Sequence, residues 1–132
     1  MTLRSIRPLV PLVLLSLSLS ALAVPHGAQA AAARPLTSEE RTGLRCAAAF
    51  ANVAARQARG EAAARQFPPM VPRGREFFVQ LSAQLMDDAG LDEAAIKAAA
   101  EGEARDLARS GGPDAMMPLC LRILNAQPGL GG

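Results

Sequence analysis

The hydrophobic positions of this chain form one continuous apolar run followed by four stretches of helical periodicity. The continuous run extends from Leu9 to Val24, behind Arg4 and Arg7 and ahead of Pro25 and a string of small residues. A positive start, an apolar middle and a small-residue end are the three parts that export machinery reads. Ala28-Gln29-Ala30 fits the cleavage rule, and Ala31 to Ala33 offer neighbouring registers. Residues 1–30 are therefore expected to be a cleavable signal peptide, with Ala28, Ala30 and Ala31 at the cut. The competing reading is a retained anchor. A spanning helix needs roughly 20 apolar residues, whereas this run is shorter and carries Pro11, Ser16, Ser18 and Ser20. Arg4 and Arg7 are not adjacent, as a twin-arginine signal requires, and no cysteine follows the cut for lipidation. The expectation is an exported protein, periplasmic or secreted, with no stable membrane anchor after cleavage.

Ala31 to Leu36 reads as a flexible lead-in. Thr37-Ser38-Glu39-Glu40 then forms a capping box, in which Thr37 accepts from the first turn and Glu40 reaches back. At 100° per residue, Cys46, Phe50 and Val53 share one line, flanked by Leu44, Ala47, Ala51 and Ala54. Arg45, Asn52, Arg56 and Arg59 fall opposite. Gly60 weakens or ends this helix, and Phe67-Pro68-Pro69 stops it. A second helix is expected from Pro72 to about Asp88, burying Phe77, Phe78, Leu81 and Leu85. Gly90 suits a left-handed cap, and Asp92 starts a third helix to about Arg109, with Leu91 and Ile96 as a staple. That helix buries only Ile96, Ala100, Ala104 and Leu107, with Glu103 at the margin, and is expected to be the most peripheral. Met116 to Ala126 is almost wholly apolar and is expected to lie centrally, with Pro118 opening or kinking it. Gln127 to Gly132 reads as a frayed, disordered tail. The fold class that follows is all-α, a single domain over residues 37–126 built as a bundle of about four helices.

Two cysteines permit one pairing. In an exported chain of this size an even count signals a structural bridge, so a Cys46–Cys120 disulfide is expected. It would close a loop of about 75 residues, worth on the order of 4 kcal/mol in the chain-entropy model. The alternative, a redox-active thiol helped by Arg45, lacks a Cys-x-x-Cys motif.

Charge and composition narrow the chemistry. The whole chain has a formal net charge of +2, but removing residues 1–30 leaves 12 of the 14 basic side chains against all 12 acidic ones. A neutral chain gives no field for nucleic acid, and the helix–turn–helix look of Ala89-Gly90-Leu91 carries no weight against it. The single histidine, His26, falls within the expected signal. Without it the chain has no imidazole for a Ser-His or Cys-His arrangement or for zinc. Asp87, Asp88, Asp92 and Glu93 cluster near one helix junction. As a calcium loop they fail, because Ala99 would stand where the bidentate Glu belongs. Met70, Met116 and Met117 read as packing and not as a soft-metal site. No cofactor and no metal site is implied. The connector Phe67 to Pro72, with Met70, Val71, Arg73 and Arg75, is a rigid apolar segment flanked by arginine and a candidate partner surface.

Leu44-Arg45-Cys46-Ala47-Ala48-Ala49-Phe50, Arg73-Gly74-Arg75-Glu76-Phe77-Phe78 and Met117-Pro118-Leu119-Cys120-Leu121 together resemble small exported bacterial two-cysteine helical proteins of unknown function. The resemblance implies the same helical layout and brings no activity or site residues. In size, helicity and long disulfide loop the chain is also similar to acid-stress periplasmic chaperones of the HdeA type. Leu36-Thr37-Ser38-Glu39-Glu40 looks like the Leu-Thr-x-x-Gln element of Spy-like periplasmic chaperones, with Glu40 in place of Gln. The function expected first is non-enzymatic, binding another envelope protein or buffering envelope stress. An enzyme or enzyme subunit using carboxylate chemistry in a cleft, and a small-ligand or lipid carrier with an under-packed alanine-rich core, are the alternatives. The sequence does not set the oligomeric state.

Overall fold

The computed structural model of the protein describes residues 32–130. The expected signal peptide, with Ala28, Ala30 and Ala31, lies outside those residues, as do Gly131 and Gly132. The described chain is four α-helices, α1 (Ser38–Ala58), α2 (Val71–Ala89), α3 (Glu93–Arg109) and α4 (Gly112–Ala126), with a short 3₁₀ turn over Ala62–Gln66 and no strand among the described residues. A disulfide joins Cys46 to Cys120. No helix among the described residues is long and apolar enough to cross a membrane.

The chain ends of the helices follow the local chemistry read above. Thr37 and Glu40 complete a capping box at the start of α1: the Glu40 N–H donates to the Thr37 hydroxyl, and the Thr37 N–H donates to the Glu40 carboxylate. Gly90 ends α2 at φ 66°, the left-handed region where a side chain would be strained. Two residues later the Asp92 carboxylate accepts from the Ala95 N–H and starts α3.

The helix at the centre is α1, not the nearly all-apolar α4. Contacts of α1 run to α2, α3 and α4 alike, and α3 packs on it as extensively as the other two, so α3 is not peripheral. The reason is side-chain size. Gly43, Ala47 and Ala49 let neighbours approach α1 on several sides, whereas α4 buries one line, Met117, Cys120 and Leu124, and leaves Leu119 exposed. α4 also begins a turn earlier than Met116, because Gly111 at φ 103° breaks the chain and Pro113 sits in the first turn. Pro118 therefore lies inside the helix, where it lacks the N–H that would otherwise bond back one turn.

Two large rings organise the core, Phe50 and Phe77, edge to face with centroids 5.4 Å apart. Glu103 is buried between α3 and α1 and accepts from Nε and Nη2 of Arg45 at 3.0 and 2.6 Å. That partner draws the carboxylate inward, and Ala104, expected inside, is exposed instead.

Both flanking segments are held. The Arg34 N–H donates to Ala89 O and its guanidinium to Asp88 O, so the lead-in caps the end of α2. At the other end the segment expected to fray turns back at Gly129, buries Leu130, and offers the Leu130 carbonyl to Arg73. One leucine was enough to dock it.

Candidate functional site

α2 carries two apolar stripes. Met70, Gly74, Phe77, Leu81, Leu85 and Ala89 face the core, while Val71, Arg75, Phe78, Ser82 and Met86 form a second line at helical spacing. The second line is why Phe78, expected inside, is 37% exposed. It forms one wall of an open trough of about 800 Å³. α3 forms the other wall with Ile96, Ala100 and Ala104, and α1 supplies the floor with Ala47, Ala48, Ala51 and Ala54. The trough exists because α2 and α3, though consecutive, touch each other far less than each touches α1. Between them the floor is mostly alanine, with Phe50 and Asn52 beside it, so the space is left unfilled.

Val71, Phe78 and Met86 are three of the five large apolar side chains exposed among the described residues, the others being Val79 and Leu119. Exposed apolar area gathered in a concavity marks a binding surface more strongly than single exposed residues do. Polar groups stand at the margins. The Lys97 ammonium donates to Glu101 one turn on, Glu93 occupies the first turn of α3, and Arg75 has no ion pair among the described residues. The hydroxyl of Ser82 is shielded from solvent and has no hydrogen-bond partner.

A second, smaller cavity of about 530 Å³ opens between α1, α2 and α4, bordered by Glu39, Glu40, Gln80, Gln84 and Asp88. Glu40 there is engaged by the Arg34 guanidinium at 2.7 and 2.9 Å, which, with the Thr37 N–H, holds its carboxyl down at about 2. This cavity is polar at its edge and its best-placed carboxylate is already spent on an ion pair.

The four carboxylates near the α2–α3 junction do not line one cavity. Asp87, Asp88, Asp92 and Glu93 are all exposed. Asp88 borders the smaller cavity, Asp92 caps α3, and Glu93 stands at the trough margin. Cys46 and Cys120 are joined and 0% exposed, so no thiol can reach the bond without opening the core.

The connector is only partly available as a partner surface. Met70 is 1% exposed and packs into the core, Phe67 is half-buried, and Arg73 is occupied by Leu130 O and the Asn125 side chain. Val71 and Arg75 remain, and both belong to the trough. The burial of Met70 has a cause that the sequence reading passed over. The Gln57 side chain donates to the carbonyls of Ala64, Phe67 and Pro68 and accepts from the Met70 N–H, folding the connector back against α1. A glutamine late in a helix, 11 residues before a proline pair, was the only trace of this in the sequence.

These features define a small helical bundle, closed by one disulfide from its first helix to its last, with a single-sided apolar trough. No family model, curated protein or solved structure matches this chain.

Proposed function

We propose that the protein is an exported, non-enzymatic carrier that holds the apolar chain of a small amphiphile in the trough between α2 and α3. The observation that carries this reading is the trough itself, about 800 Å³ floored by alanines and edged by Val71, Phe78 and Met86. Its size is in the range of small-ligand sites, about 300–1,000 Å³, and its walls offer mostly apolar contact, with Arg75 and Ser82 interrupting the line on α2. A carrier needs no proton-transfer group, which agrees with a mature chain lacking histidine and with carboxylates that do not meet. Export is supported by the composition of residues 1–30 and by a buried disulfide of the kind that persists in oxidising compartments.

Titration calorimetry with dodecyl maltoside, an uncharged single-chain amphiphile used below its micelle concentration, tests the carrier reading. Saturable one-to-one binding is expected, and Ala51→Phe, which raises a ring from the exposed floor of α1, is expected to abolish it. Absence of binding, or binding indifferent to Ala51→Phe, overturns the reading. The export half is tested by intact mass of protein recovered from an exporting host without reductant. A mass lacking residues 1–30 and two hydrogens is expected, whereas the full 132-residue mass or two free thiols contradicts it.

One observation favours a second reading, a protein partner in the envelope. Val71 is 63% exposed and carries the trough onto the connector, so an apolar protein segment has a place to enter.

A further inference from the structure

The chain-binding reading leaves the head group of the ligand open, and the charges around the trough are not symmetrical. Of its charged lining residues, Lys97 and Glu101 satisfy each other at 2.6 Å, and Glu93 lies in the first turn of α3, where the helix N-terminus favours a carboxylate. Arg75 differs. It lines the trough one turn into α2, and its guanidinium has no hydrogen bond or ion pair among the described residues, while neighbouring Arg73 is spent on the C-terminal turn. The start of α2 adds to this end: its first turn has no acidic residue and no side-chain cap. One end of the trough thus presents an uncompensated cation.

Resting on the carrier reading above, we infer that the ligand is a single-chain anionic amphiphile whose carboxylate or phosphate pairs with Arg75 and whose chain lies over the alanine floor toward Met86. Dimensions favour a single chain. From Val71 to Met86 the wall of α2 runs about 22 Å, so 800 Å³ corresponds to a mean section of about 36 Å². That is a narrow, open groove floored mostly by alanine, which a flexible single chain can follow along its length. From Arg75 to Met86 the wall measures about 16 Å, the extended length of roughly a dozen carbons joined by bonds of about 1.5 Å. The planar guanidinium suits both head groups, because its paired N–H donors match two oxygens of a carboxylate or a phosphate.

The test compares laurate, dodecyl phosphate, dodecyl maltoside and dodecyltrimethylammonium, each below its micelle concentration, on the protein recovered from an exporting host and on its Arg75→Gln variant. Arg75 is exposed on α2 and its replacement leaves the core untouched. Laurate or dodecyl phosphate is expected to bind wild type about two- to fivefold tighter than the maltoside, the worth of an ion pair at an exposed arginine. Arg75→Gln is expected to erase that margin, so that laurate and dodecyl phosphate bind the variant no tighter than the maltoside binds the same variant. Whichever of the two anions binds tighter identifies the head group, carboxylate or phosphate, and either supports the inference. Equal binding of anionic and uncharged chains, a preference for the ammonium, or an anionic preference that survives Arg75→Gln overturns the head-group inference while the carrier reading stands. If none of the four binds, and an amphipathic helical peptide does, both fall and the trough belongs to a protein partner.

Discussion

Single residues decide how closely the helices approach. At Gly74 an added Cβ would stand 2.8 Å from the Cβ of Phe50, closer than two carbons can sit, so α2 must move off α1. Gly74→Ala is expected to cost about 1–3 kcal/mol, the usual range for overpacking, read from urea denaturation. Gly102→Ala is the control. Its new methyl meets nothing nearer than the tip of Arg105 at 4.0 Å, and replacing a helical glycine is expected to gain about 0.5–1 kcal/mol. Glu40 gives the acid limb of stability. Its carboxyl is held at about 2 by Arg34 and the Thr37 N–H, below the value of about 4.3 it has when unfolded. A depressed folded value means that the contribution is complete above the unfolded value and is lost as pH falls toward the folded one. Urea midpoints are therefore expected to decline as pH falls from about 5 to about 2, and Glu40→Gln is expected to flatten that decline. A decline of the same steepness in the variant would remove Glu40 from the account.

At the scale of elements, the helix ends set by local caps were legible, whereas the start of α4 and the neighbours of each helix were not. The capping box at Thr37, the left-handed Gly90 and the cap at Asp92 each depend on chemistry within four residues, and the sequence displays all of it. The position of α4 depends on how close other helices come to α1, which is set by glycine and alanine on α1 and not by the apolar character of α4. Phe78 reads in the sequence as part of one buried stripe with Phe77, Leu81 and Leu85. It belongs to a second line, Val71, Arg75, Phe78, Ser82 and Met86, whose helical spacing was visible but whose exposure required the gap between α2 and α3. The connector was apolar as read, yet its fold is governed by Gln57, which satisfies three carbonyls and one N–H. Gln57→Ala is expected to destabilise by about 1–3 kcal/mol and to raise hydrogen exchange at Met70 in particular. Unchanged protection there would show that the prolines alone hold the connector.

For the whole molecule, the disulfide and the thin core are parts of one arrangement. α1 and α3 are rich in alanine, which buries little area per residue, and Phe50 and Phe77 are the only buried aromatic rings among the described residues. Linking Cys46 to Cys120 across 74 positions restricts the unfolded chain, an effect of about 4 kcal/mol in the chain-entropy model. Replacing both cysteines by alanine is expected to remove about that much, a large share of the 5–15 kcal/mol typical of small domains, and to lower the thermal midpoint accordingly. A midpoint that is insensitive to the double replacement would show that packing alone suffices. The same shortage of large side chains leaves the floor between α2 and α3 low enough to be a trough. Weak packing and the trough therefore have one cause. Amide chemical-shift mapping during titration with laurate tests this most directly. Saturable shifts are expected at Ala47, Ala51, Phe78 and Ala100 with the residues around the smaller cavity unmoved; shifts centred on Gly43 and Gln84, or none at all, would rule out the trough as the site.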